Sequence, residues 1–218
     1  MRIFLDVPCG IVPNRIVGGS EVVPHSIPWQ VGLVSIGYRT PFCGGTLIGS
    51  RHVLSAAHCT EGDRNFEVIV GEHDLFNHRD GTVIGVENIY EHPQYDTITN
   101  NYDFVIIKLK EKVVLGDTAI HACLPTKAMD DDYFAGEKFT VSGWGHLESD
   151  GEAPSVLHSV DVPFVPNTVC QEKYGNDITD EMLCAGNIKD GGVDSCQGDS
   201  GGKFCSLAHF YVVMFFNL

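Results

Sequence analysis

From Trp29 onward the chain is written as short apolar stretches that prolines and glycines interrupt at close intervals, and no stretch sustains a helical repeat. Such punctuation restricts the chain to short strands joined by tight turns, the pattern of an all-β barrel or sandwich. The spacing predicts strands over Trp29 to Ile36, Phe42 to Gly49, Phe66 to Gly71, Thr82 to Tyr90 and Asp103 to Leu109. In the last of these, Val105, Ile107 and Leu109 fall on one face and Ile106 and Lys108 on the other, the period of two that a half-buried strand requires. Residues 117–136, with Cys123-Leu124-Pro125 and Asp130-Asp131-Asp132, read as a crossover between two halves. Strands then resume over Lys138 to Gly143 and Val156 to Val165. One short helix is expected from Asn167, a good N-cap residue, through Val169, Cys170 and Lys173.

Eight cysteines stand at positions 9, 43, 59, 123, 170, 184, 196 and 205, and none forms a C-x-x-C pair. An even number at wide spacing reads as disulfides made in an oxidising compartment, and the absence of close pairs disfavours a zinc ribbon or a thioredoxin-type site. The formal net charge of −15 disfavours nucleic acid and anionic membrane as partners. The longest apolar run, Phe210 to Phe216, is too short to span a bilayer. Met1-Arg2-Ile3-Phe4-Leu5-Asp6 lacks the apolar core of a signal peptide. A secreted, extracellular protein whose N-terminus is incomplete here is therefore expected.

The chemistry concentrates in Asp194-Ser195-Cys196-Gln197-Gly198-Asp199-Ser200-Gly201-Gly202. A serine is a poor nucleophile unless a base takes its proton and backbone donors meet the developing oxyanion. The glycines around Ser200 let the backbone approach a substrate closely. An Ala56-Ala57-His58-Cys59 segment and an Asn101-Tyr102-Asp103-Phe104 segment precede it, supplying a base and an acid to orient that base. Gly198 to Gly202 also satisfies G-x-S-x-G, the elbow of the α/β-hydrolases, where acid and histidine follow the serine. Here the residues after Ser200 contain one histidine, His209, and no acid, whereas His58 and Asp103 both come before it. That order excludes the hydrolase fold and is the one found in chymotrypsin-like proteases.

With Ile16-Val17-Gly18-Gly19, Pro28-Trp29-Gln30, Cys43-Gly44-Gly45, Ser142-Gly143-Trp144-Gly145 and Met182-Leu183-Cys184-Ala185-Gly186 in the same order, the chain resembles the trypsin/chymotrypsin family of serine proteases over residues 9–202. The resemblance implies two antiparallel β-barrels with the active site in the cleft between them. Residues 1–15 would be an activation leader and 16–218 the protease domain, with a first barrel over about 27–120 and a second over about 130–218. It implies His58 as general base, Asp103 as its orienter and Ser200 as nucleophile, with the Gly198 and Ser200 N–H groups as oxyanion hole. Asp194 matches the acid at the floor of a pocket that takes Arg or Lys. Arg15-Ile16 matches an activation site whose cleavage frees an Ile16 ammonium to pair with Asp199, making the uncleaved chain a zymogen. The disulfides implied are Cys43–Cys59, Cys170–Cys184 and Cys9–Cys123. Partners would be protein or peptide substrates, an activating protease and protein inhibitors, with no nucleic acid and no membrane.

Glu72, Asp74 and Asp80 lie where some relatives bind calcium, and carboxylates suit that ion. Thr82 stands where a further acid belongs, so a solvated loop without metal is the expectation. After Gly202 the resemblance ends. Lys203 replaces a usual proline, and Phe204 to Leu218 lack the Ser-Trp-Gly segment and the terminal helix of the family. A second barrel incomplete at its C-terminal end is therefore expected, as in a truncated or mis-spliced zymogen, and the pairing of Cys196 and Cys205 stays open. Two other readings remain: a non-catalytic homologue that binds a partner, and a metal-binding module built on His73 and His78.

Overall fold

The computed structural model describes residues 20–62, 64–77, 80–124, 134–146, 153–186, 203–206 and 212–214. In chain order the strands are β1 (Ser20–Glu21), β2 (Gln30–Ser35), β3 (Pro41–Gly49), β4 (His52–Ser55), β5 (Phe66–Val70), β6 (Thr82–Glu91) and β7 (Val105–Leu109), followed by β8 (Lys138–Gly143) and β9 (His158–Val165). A helix, α1 (Asn167–Tyr174), then precedes β10 (Cys184–Ala185), β11 (Lys203–Ser206) and β12 (Val212–Met214). The fold is mostly β, with this one short α-helix of eight residues among the described residues.

Strands β2, β3, β4, β7, β6 and β5 close into a barrel in that order, every neighbouring pair antiparallel. Closure follows from the alternation anticipated for residues 105–109. Val105, Ile107 and Leu109 are buried while Ile106 and Lys108 are half-buried on the outer face. They meet Leu33, Leu47, Val53 and Val68 in one apolar core. Six strands leave a narrow interior, and Gly45 keeps it passable: a Cβ there would lie 2.9 Å from Val53 Cγ1 and 3.0 Å from Val31 Cγ2. Register shifts at Leu33/Val34, Leu47/Gly49 and Val86/Asn88 bend the strands around the barrel, the usual function of bulges in closed sheets.

The second half forms a six-stranded sheet in the order β1-β9-β8-β11-β12, with β10 beside β9, and it is open among the described residues. Phe134, Phe139 and Phe164 form its aromatic core, with ring centroids 5.3 to 6.1 Å apart. The cystine Cys170–Cys184 fastens α1 to β10. Buried polar contacts join the two sheets: Ser142 Oγ donates to Gln30 Oε1 at 2.9 Å, and Trp144 Nε1 donates to the His73 carbonyl at 3.1 Å.

Some elements differ from those expected. Strand β4 has no counterpart in the sequence reading because it is only four residues long, opens with His52 and follows the charged Arg51. Asp103 and Phe104 lie outside β7, which starts at Val105. Asn167 is the first helical residue, and Pro166 occupies the N-cap. The Asn167 amide turns away from the helix and donates to the carbonyls of Thr179 and Met182, at 3.2 and 2.7 Å. Part of the apolar run at 210–216 does form a strand, β12, which pairs with β11.

Arg51, Glu87 and Lys108 form a charged clip across β4, β7 and β6, in which both cations bond the Glu87 carboxylate. Beside it, burial and then the Lys108 and Arg51 charges hold the His52 imidazole below its ordinary value of 6.5. The unfolded chain therefore binds more protons than the folded one just below pH 6.5, and folding stability must rise with pH across that window. Relative to His52→Gln, wild-type protein should gain stability as pH is raised from 5 to 7, read by urea unfolding at each pH; parallel curves for the two proteins would contradict this.

Candidate active site

His58 sits on a 3-10 turn, Ala57–Thr60, that follows directly from β4. Three contacts hold the turn. Cys59 is bonded to Cys43 on β3. The Thr60 hydroxyl donates to the Ala57 carbonyl at 2.9 Å. Tyr95 donates its phenol proton to Glu61 at 2.6 Å, just beyond the turn. Burial, and then that hydrogen bond to a carboxylate, push the Tyr95 phenol well above its usual range. The Tyr95 side chain is thus held as a donor to Glu61.

Asp103 arrives from the opposite direction, immediately before β7, and is wholly buried. An isolated carboxylate in that position would be costly, so its oxygens must be satisfied. Oδ1 accepts the His58 backbone N–H at 2.7 Å, and Oδ2 lies 2.5 Å from His58 Nδ1. A carboxylate can only accept, so Nδ1 carries the proton in this pair. In the neutral ring Nε2 is then the basic nitrogen. The imidazole is partly exposed, with 31% of its side-chain surface open, so the base is reachable while its partner is not. A base with a fixed tautomer and a buried acid behind it is equipped to take a proton from a neighbouring hydroxyl.

The loop that delivers Asp103 is held in an unusual backbone state. Asn100 and Tyr102 have φ of 53° and 54°, a region that side chains other than glycine seldom occupy. Asn tolerates it because its short amide can bond locally; Tyr does not, and other contacts must hold it. The Tyr102 ring stacks on His92 at 4.8 Å, and its hydroxyl donates to Glu181 at 3.0 Å. The Thr179 hydroxyl donates to Asn101 Oδ1 at 2.8 Å. The 177–182 segment of the second half thereby grips the loop that ends in Asp103. No pattern in the sequence pointed to Thr179, Glu181, Tyr95 or Glu61; Asn100-Asn101 before a bulky Tyr was the one available hint of a left-handed turn.

The structure brings together His58 and Asp103. Ser200, Gly198, Asp199, Asp194, Arg15, Ile16 and Cys9 lie outside the described residues. Cys43–Cys59 and Cys170–Cys184 are disulfides, and Cys123 is disulfide-bonded as well. Of the acids considered for calcium, Glu72 is bound by Arg39 at 3.0 Å, Asp74 accepts the Phe76 N–H at 3.0 Å, and Asp80 faces His25 at 3.8 Å. His73 is buried with Nε2 3.1 Å from Glu21, and His78 is outside the described residues.

Known proteins resemble the chain over most of its length. The family model described as Trypsin matches residues 16–215. The chain is similar to Trypsin 5G1 of Aedes aegypti, 40% identical over 192 residues that cover 87% of this chain and 70% of that protein. It is similar to Trypsin II-P29 of Gallus gallus, 41% identical over 197 residues, 89% of this chain and 75% of the relative. Serine protease 1 of Rattus norvegicus is 40% identical over 191 residues, 87% and 74% of the two chains.

Asp103→Asn keeps the side-chain volume and replaces one accepting oxygen with an amide. The strongly deshielded proton expected on His58 Nδ1 should then vanish from the proton NMR spectrum; its persistence would mean that some other group holds the ring.

Proposed function

Because the chain belongs to the trypsin family of serine proteases, we propose that it is an endopeptidase cutting protein or peptide substrates after Arg or Lys, with His58, Asp103 and Ser200 as its triad. The observation that carries this reading is the His58–Asp103 pair: a buried carboxylate accepting from both the backbone and the ring of one histidine, at 2.7 and 2.5 Å.

The steps follow the triad mechanism known for this family. The Ser200 hydroxyl attacks the scissile carbonyl as His58 Nε2 takes its proton. The Gly198 and Ser200 N–H groups receive the oxyanion. His58 then returns the proton to the leaving amine, the acyl-enzyme forms, and water releases the acid by the same path. Asp103 holds the tautomer and stabilises the imidazolium throughout. Asp194 selects a cationic side chain, because leaving a pocket carboxylate unpaired is costly. Cleavage at Arg15-Ile16 frees an ammonium that pairs with Asp199 and orders the Gly198 to Ser200 segment. The disulfides support folding in an oxidising, extracellular setting.

The test is to cut at Arg15 with an added activating protease and titrate with a serine-directed fluorophosphonate. Stoichiometric label on Ser200 that appears only after cleavage supports the proposal. His58→Ala should lower kcat by about 10⁴-fold or more, the scale characteristic of serine-protease triads. A cut chain that neither takes label nor hydrolyses Arg or Lys substrates, yet unfolds cooperatively, would instead be a binding homologue.

A further inference from the structure

The loop from Glu72 to Gly81 is closed by charge, and the charge comes from an unexpected source. The Glu72 side chain has no exposed surface, so its carboxylate needs a cation. Arg39, on the turn between β2 and β3, supplies it: Nη1 lies 3.0 Å from Glu72 Oε2. The same nitrogen reaches the carbonyl of Gly81 at 3.5 Å. One guanidinium nitrogen therefore contacts the first and last residues of the loop. The other carboxylate oxygen, Oε1, accepts the His73 backbone N–H at 3.3 Å.

These contacts use the atoms that a hard divalent cation would need. Calcium requires six to eight oxygens converging on one centre. Here the carboxylates diverge: Glu72 turns to Arg39, Asp74 to the Phe76 N–H and Asp80 to His25. A dication brought to Glu72 would also face the Arg39 positive charge at close range, which opposes its binding. Gly81 is packed tightly against Glu72. A Cβ on Gly81 would lie 2.6 Å from Glu72 Oε2 and 2.9 Å from Glu72 Cβ. The donor set therefore does not fit calcium.

We propose that the Arg39 guanidinium is the built-in cation that ties Glu72 to Gly81, so that these two residues are held together without calcium. The consequence goes beyond the protease reading and does not depend on it: the loop should be indifferent to chelators.

The test uses the full chain. Wild-type Tm in EDTA and in about 5 mM calcium, above the dissociation constants of weak extracellular sites, should agree within about 1 °C. Arg39→Met, which keeps the stem and removes the charge, should lower Tm by about 5 °C or more and speed amide exchange within residues 72–81. Arg39→Lys should stay calcium-indifferent, and it serves if the Met variant does not fold. A wild-type Tm raised several degrees by calcium would overturn the proposal, as would an Arg39→Met protein with unchanged Tm and exchange. Neither result bears on labelling of Ser200, so failure here is distinguishable from failure of the protease reading.

Discussion

A wholly buried carboxylate at Asp103 is the constraint around which the rest of the molecule is arranged. Unsatisfied, it would cost several kcal/mol and the segment would turn outward. Both of its oxygens are satisfied by a single residue, His58, through the backbone N–H and the ring. That solution demands that two segments far apart in the chain meet within hydrogen-bond distance. The closed barrel makes them meet, because β4 and β7 are hydrogen-bonded neighbours, with Ser55 opposite Val105. His58 lies just after β4 and Asp103 just before β7, outside the strands, where the backbone is free to turn. The disulfide at Cys59 and the Tyr95–Glu61 bond then limit how far the His58 turn can drift.

The second half contributes to this site from outside the barrel. Tyr102 and Asn101 are held by Glu181 and Thr179, so the strained backbone ahead of Asp103 is stabilised by contacts across the two halves. The Tyr102–Glu181 contact is exposed and the Thr179–Asn101 contact partly buried, and each is of modest individual strength. They act together on a loop of a few residues, and the stacking of Tyr102 on His92 adds to them. The position of the acid is thus set jointly by the barrel that carries it and by a segment that follows α1.

The fold was legible wherever burial imposed a period on the residues. Alternation over Val105 to Leu109 marked a barrel strand, and the run from Phe42 to Gly49 was legible as a strand that proves to begin one residue earlier, at Pro41. What escaped was structure created by pairing alone. Strand β4 is too short and too polar to announce itself, yet it is the strand that delivers His58. Strand β1 has only two residues, both exposed, and exists because β9 lies beside it. The helix begins at Asn167 as expected, but Pro166 takes the N-cap because the Asn167 amide bonds the distant carbonyls of Thr179 and Met182 instead. Within the site, residue types and order identified His58 and Asp103. The supporting groups Tyr95, Glu61, Thr179 and Glu181 are ordinary polar residues that tertiary contact alone places near them. The acids at 72, 74 and 80 read as a solvated loop, and nothing in the sequence marked Arg39, far from them in the chain, as the partner of a buried Glu72.

The pairing of β1 with β9 has a temporal meaning. All six barrel strands lie between residues 30 and 109, so the barrel can close on the ribosome as soon as that stretch has emerged. Ser20 and Glu21 leave earlier still, yet their partners, Ser159 and His158, are made long afterwards. Strand β1 can therefore take its place in the sheet only once β9 has been synthesised. The β1–β9 pairing thus joins segments made early and late in synthesis, separated by the whole barrel.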